Sequence, residues 1–382
     1  MASAKIVRVE WARLEGRRPR LAGNNSRISV HGIEVRPPIA RVTADDGSSG
    51  FGWARATRDE AAALLGVALD DAFSPETGVA EPYLGFEYPI WDLMAKRRGA
   101  PAYELAAAVN GIDPASLPRP FRARCYDTSL YIDDLHLASD QEGAALIAKE
   151  AREGYDRGHR AFKIKVGRGA RYMELEAGTR RDIAVIRAVR EAVGPGLPIL
   201  IDANNGYNLN LTKRVLRETA DCDVFWMEEP FHEDAALYQD LHEWLRRESL
   251  ATLIADGEGQ ASPALMDMAH DHAVDVIQYD VLRPGFTRWL GIGRRLDAWG
   301  AKAAPHHYGG HYGNYASCHL AAAVKGFLFA EWDEATTPGL DGSAYRIDEG
   351  VVTVPRTPGF GLELDDAVFR KAVAVDGFDV GA

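Results

Sequence analysis

Between Ala161 and Gly167 the chain alternates: Phe162, Ile164 and Val166 are apolar, whereas Lys163 and Lys165 are charged. Side chains alternate faces along a strand, so this spacing predicts a strand with one apolar side and one side carrying two ammonium groups. An apolar core would penalise both charges. Such a strand lies at a sheet edge with its lysines in water, or it ends in a polar cavity, and the rest of the chain favours the cavity.

Upstream, Ile6 to Leu14 and Ile28 to Ala44 contain alternating apolar residues and predict antiparallel strands. A turn-rich loop over Arg17 to Arg27, with Gly23-Asn24-Asn25-Ser26, joins them; it reads as a surface connection and is also compatible with a mobile lid. Helical spacing over Glu60 to Asp71 and Glu87 to Leu105 completes a small α+β unit. From residue 124 short apolar runs alternate with Ala/Glu/Arg-rich helical stretches. The runs are Arg124 to Ile132, Ala161 to Val166, Pro198 to Ala203, Asp223 to Met227, Ala251 to Ala255, Val274 to Tyr279, Lys302 to Pro305 and Gly326 to Ala330. Eight strands each followed by a helix predict a (β/α)8 barrel with its active site at the C-terminal strand ends. A doubly wound sheet is the competing fold, but no G-x-G-x-x-G opens a helix. Beyond residue 339 this rhythm stops, and glycines, Pro355, Pro358 and short β-like pieces assign the tail to the first domain. The expected organisation is an α+β capping domain (1–122), a TIM-like barrel (123–338) and a C-terminal segment (339–382) returning to the cap.

Composition narrows the chemistry. A chain of 382 residues with 46% hydrophobic content supports a sizeable core. A formal net charge of -12, with no long basic run, argues against nucleic acid and anionic membranes as partners. A small anionic substrate still fits, because a metal or a lysine pair reverses the sign locally. Cys125, Cys222 and Cys318 are scattered, which suits a reducing cytosol and argues against a disulfide framework or a zinc site. The N-terminal residues lack the apolar stretch of a secretory signal, and no segment reads as a membrane span.

If the barrel is right, polar residues should recur at its strand ends, and they do. Asp202, Glu228 and Glu258 close three consecutive strands, followed by Asp280, His306 and Glu331. Any one of the carboxylates could simply cap a helix or meet an arginine. Three converging on one mouth would repel each other without a cation, and oxygen-only ligands select a hard ion such as Mg²⁺. Asp256 and Glu229 are near-neighbour alternates. On adjacent strands, Asp280 can fix the tautomer of His306 and raise its basicity. His307 and His311 compete for that role, but only His306 directly ends the strand.

Taken together, Lys163-Ile164-Lys165, Asp202-Ala203-Asn204, Glu228-Glu229-Pro230, Gly257-Glu258, Asp280, Pro305-His306 and Glu331 resemble the mandelate racemase subgroup of the enolase superfamily. Trp91-Asp92-Leu93 with Lys96 and Pro101 is similar to that family's capping-domain helix, and Pro358-Gly359-Phe360-Gly361 to its C-terminal turn. The resemblance implies Mg²⁺ on Asp202, Glu228 and Glu258, Lys165 as a base on one face of the substrate, and the His306–Asp280 dyad as acid/base on the other. It further implies that Lys163 neutralises the substrate carboxylate, that Asn204 supports the substrate or metal shell, and that Glu331 hydrogen-bonds the enediolate. It also implies a homo-oligomer. Gly259 after Glu258 and the His/Gly-rich loop at His306 depart from the pattern and bear on the substrate.

The leading expectation is a cytoplasmic, Mg²⁺-dependent acid-sugar dehydratase acting on a small carboxylate. The loop residues Asn24 and His31, with Asn25, Ser26 and Arg27, suit substrate hydroxyls. A racemase or epimerase is the alternative, since bases on two faces also permit 1,1-proton transfer. A non-catalytic binding barrel is the third reading, disfavoured because every position is filled.

Overall fold

The structure, a computed structural model, describes residues 3–308 and 311–381; Gly309 and Gly310 of the histidine-rich loop lie outside the described residues. Eight parallel strands form a barrel: Arg122–Leu130, Phe162–Lys165, Ile199–Asp202, Val224–Glu228, Leu253–Asp256, Val276–Ile277, Lys302–Ala303 and Ala330–Trp332. Successive strands are neighbours. The eighth pairs with the first through Ala330 and Cys125, and a bridge between Ala303 and Phe327 closes the ring. Helices follow the first seven strands, from Asp140–Asp156 to Tyr312–Leu320. Among the described residues no barrel helix follows the eighth, contrary to the expected repeat. Pro338 and Gly339 interrupt that segment, which forms the short strand Leu340–Asp341 instead.

The alternation on the second strand is resolved by the barrel. Phe162, Ile164 and Val166 join the outer core, while the inner core consists of Tyr126, Ala161, Leu200, Trp226, Ala255, Val276, Ala304 and Phe329. This inner set plugs the barrel below the mouth, with the rings of Tyr126, Trp226 and Phe329 meeting edge to face. The lysines point into the space above it.

The cap is an antiparallel sheet in the order Phe378–Gly381, Ile6–Arg13, Pro38–Ala44, Ser49–Trp53. The tail reaches both parts of the fold: Phe378–Gly381 joins this sheet, while Val351–Thr353 pairs with the N-terminal end of the first barrel strand. Three local expectations change. Gly16–Ala22 is a strand paired with Gly32–Val35, so the irregular segment is Gly23–His31 rather than Arg17 to Arg27. Pro19 and the surrounding arginines masked it; a two-stranded edge tolerates a residue without an N–H. Glu87 to Leu105 is two helices, Glu87–Arg97 and Ala102–Val109, divided at Gly99 (φ 62°) and Pro101. Glu60 to Asp71 is likewise split into Arg58–Ala63 and Leu69–Ala72, around Gly66 (φ 82°).

Buried polar contacts join cap to barrel. Asp92 accepts from the N–H groups of Phe51 (2.9 Å) and Phe360 (3.0 Å), tying the cap sheet to the Pro358–Gly361 turn. Glu87 caps a barrel helix, accepting from Phe286 N (3.0 Å) and Thr287 N (2.8 Å). Burial pushes its carboxyl up to about 7 against these donors. A carboxyl whose folded value exceeds its unfolded one binds more protons when folded, so its contribution to stability falls as pH rises from 4.5 to about 7. Glu87→Gln should flatten that part of the stability–pH curve. Glu87→Ala, which strands two N–H groups, should lower stability by about 1–3 kcal/mol in urea denaturation.

Candidate active site

The lysine strand ends at a turn held from behind. Arg168, fully buried, binds Asp134 (2.6 Å) and Asp182 (2.7 Å) and donates to Lys165 O (3.3 Å). Gly167 in that turn has φ 90°, a conformation that favours glycine. Asp202 and Glu228 are the last residues of their strands, and Glu258 lies just past the fifth; one carboxylate oxygen from each comes within 4.8 Å of the others.

Lys163 lies among these acids, 2.8 Å from Glu228, 3.0 Å from Glu331 and 3.6 Å from Asp202, with the Tyr126 ring 5.2 Å away. Lys165 pairs with Asp202. Burial pushes both ammonium groups down, but the carboxylates outweigh it and raise both. Burial and the adjacent Asp202 push Glu228 up to about 7. Burial also works against ionised Glu331, yet Lys163 and His306 hold its carboxyl well below the usual range. Glu331 further accepts from Thr128 Oγ1 (2.6 Å) and His307 N (2.9 Å).

A backbone bridge sets Asp280 beside His306, whose Nδ1 lies 2.5 Å from Asp280 Oδ1 and whose Nε2 lies 3.2 Å from Glu258 Oε2. Burial lowers the imidazole, but Glu258, Glu331 and Asp280 lift it to about 10. The side chains of the competing histidines have other partners: His307 meets Asn314 Oδ1 (2.5 Å), and His311 lies 3.4 Å from Thr337 Oγ1. Asp256 accepts from the Tyr238 hydroxyl, and Glu229 from the amides of Asn204 (3.0 Å) and Asn205 (3.1 Å).

Above this cluster opens a cavity of about 520 Å³ bordered by Lys165, Glu258, Asp280 and His306, with His31, Tyr131 and Tyr308 on its wall. His31 contacts Gly23 O through Nδ1 (2.6 Å), and burial lowers its pKa. Four expected substrate residues, Lys163, Asn24, Asn204 and Glu331, are not on that wall. Lys163 is buried, its ammonium engaged by three carboxylates. Asn24 spends its amide on Ile132 O (3.1 Å), and its neighbour Asn25 lines the cavity instead. Asn204 and Glu331 lie in the layer beneath, with Asn204 donating to Glu258 (3.0 Å). Sequence reasoning missed Thr128, Trp226 and Gln278; the last two donate to Glu228 Oε2 at 3.1 and 3.0 Å. Strand alternation offered a signal, since Trp226 stands two residues before Glu228 and Gln278 two before Asp280. The cap arginines bordering the cavity, Arg36 and Arg55, gave none.

The donor set fits a divalent cation. Its three converging groups are all carboxylates, the choice of hard ions such as Mg²⁺, and the neighbouring Asn204 carries a buried Oδ1 with no hydrogen-bond partner among the described residues.

The family model described as Enolase C-terminal domain-like matches residues 146–368. A galacturonate dehydratase from Geobacillus sp., solved with D-galacturonate and 5-keto-4-deoxy-D-galacturonate, superposes with a TM-score of 0.94 at 47% identity, covering 100% of both chains. A mandelate racemase/muconate lactonizing protein from Geobacillus sp. Y412MC10, complexed with magnesium/tartrate, gives 0.96 at 47% identity, covering 100% of this chain and 98% of the other. Arabinonate dehydratase from Saccharolobus solfataricus is 26% identical over 294 residues, 75% of this chain and 70% of the relative.

Asp202→Asn and Glu258→Gln should each weaken Mg²⁺ binding by about 10–100-fold or more in calorimetric titration. Asp256→Asn should leave the affinity unchanged.

Proposed function

Because the chain belongs to the enolase C-terminal domain-like family, we propose that it is a Mg²⁺-dependent acid-sugar dehydratase whose substrate is a hexuronate of the galacturonate type. The observation that carries this reading is that Lys165 and His306 border one cavity directly above the carboxylate cluster. The 47% identity to a galacturonate dehydratase over the full chain supports the uronate in particular.

In converting D-galacturonate to 5-keto-4-deoxy-D-galacturonate, C5–H, α to the carboxylate, breaks and its proton passes to a base. The C4–O bond then breaks, the departing oxygen takes a proton and leaves as water, and the remaining C4=C5 enol becomes the C5 ketone by losing its O5 proton and gaining one at C4. Asp202, Glu228 and Glu258 would hold Mg²⁺, which when bound stabilises the negative charge that gathers on the substrate carboxylate as the α-proton leaves. Lys165 is the base. Its pairing with Asp202 favours the protonated amine; Asp202 engaged as a cation ligand would hold Lys165 less firmly, and Lys163 beside it favours the neutral form. His306 is the acid: Asp280 occupies Nδ1, which leaves Nε2 to deliver the proton to the leaving hydroxyl. Lys163 and Glu331 act from beneath, as an ion pair that keeps the charge of the mouth fixed.

Cytoplasmic residence and a homo-oligomeric state belong to the same proposal. Three free, buried cysteines suit a reducing compartment, and among the described residues no helix is long and apolar enough to cross a membrane.

With Mg²⁺, the protein should convert D-galacturonate to a deoxyketo acid, measured beside galactarate, gluconate and arabinonate. Lys165→Met and His306→Asn should each lower turnover by about 10²–10⁴-fold. Unchanged turnover in either variant would remove its assigned role. Exchange of the α-hydrogen in D₂O without a keto product would replace dehydration by racemisation.

A further inference from the structure

The Gly23–His31 segment crosses the mouth, and Ser26 on it is buried, only 6% exposed. Its Oγ lies 2.5 Å from Ala203 O and 3.0 Å from Asn204 O, so its one hydroxyl hydrogen is shared between two carbonyls. Two glycines make room for it. A Cβ on Gly206 would come within 2.7 Å of Ser26 Cβ, and one on Gly167 within 3.0 Å. Glycines from two different barrel loops thus form a socket the size of a serine side chain.

The carbonyls it engages belong to the turn directly after Asp202. Asn204 (φ 42°) and Asn205 (φ 62°) hold left-handed backbone there, a conformation uncommon outside glycine that persists only when its surroundings enforce it. Ser26 supplies part of that enforcement from the cap. Asn204 in turn donates from Nδ2 to Glu258 and Glu229, each at 3.0 Å. The segment is also clasped from outside: the Tyr172 hydroxyl donates to Ile28 O (3.1 Å), and Arg27 lies 3.7 Å from Glu229.

We propose that Ser26 is a positioning residue for the cation ligands: seated in its socket it fixes the Ala203–Asn204 turn, and through it the hold of Asn204 on Glu258. Closure of the segment and affinity for the cation are then one coupled equilibrium. The proposal rests on the reading of Asp202, Glu228 and Glu258 as cation ligands. Coupling is reciprocal, so Mg²⁺ must hold the segment down as firmly as the segment favours Mg²⁺.

Hydrogen–deuterium exchange of the wild type with and without Mg²⁺, together with calorimetric Mg²⁺ titration of wild type and Ser26→Ala, tests it. Alanine keeps the Cβ that fills the socket and removes both hydrogen bonds. Mg²⁺ should slow exchange across 23–31 in the wild type, and Ser26→Ala should bind Mg²⁺ about tenfold more weakly. An unchanged affinity in Ser26→Ala, or wild-type exchange over 23–31 that ignores Mg²⁺, would overturn the proposal and leave the ligand assignment standing. A wild type that binds no Mg²⁺ would remove the assignment and the proposal together.

Discussion

Lys163 and Lys165 share the closed mouth of a barrel with Asp202, Glu228, Glu258 and Glu331. Four carboxylates face two ammonium groups, and the Asp280–His306 pair is balanced within itself. The deficit is two positive charges, in a cluster whose members, Glu258 apart, are buried. A charge left unpaired there costs several kcal/mol by order of magnitude. One divalent cation cancels the deficit, and the three carboxylates that can converge on it belong to consecutive strands.

The surrounding structure preserves that imbalance until a cation relieves it. The aromatic plug of Tyr126, Trp226 and Phe329 seals the barrel below, and the Trp226 indole also donates upward to Glu228. Thr128, Gln278 and His307 N give the remaining carboxylate oxygens fixed donors. From above, the cap contributes Ser26 and His31, while Glu87 and Asp92 anchor it. Preorganisation of this kind is what makes a fixed electrostatic environment effective when charge moves in a reaction.

The barrel was legible because each strand is a short apolar run closed by a polar residue, and strand alternation fixed which residues face inward. That logic carried Lys165, Asp202, Glu228, Asp280 and His306 to one mouth. It failed where burial depends on the partner rather than the period. Lys163 and Lys165 look equivalent in the sequence, yet one is sunk among three acids and the other borders the cavity. The Asn24-Asn25 pair looks equally interchangeable, until a bridge to Ile132 turns one of them away from the cavity. Gly16–Ala22 hid as a strand because its arginines find partners far along the chain, such as Arg18 with Asp333. Long-range pairing of this sort leaves no local period.

The most direct measurement is anomalous diffraction from crystals soaked in Mn²⁺ as a substitute for Mg²⁺. The charge balance of the mouth predicts one strong peak between the carboxylates of Asp202, Glu228 and Glu258, with Lys165 separated from Asp202. A mouth without a peak, or an ion bound away from those three residues while Lys165 stays on Asp202, would contradict it.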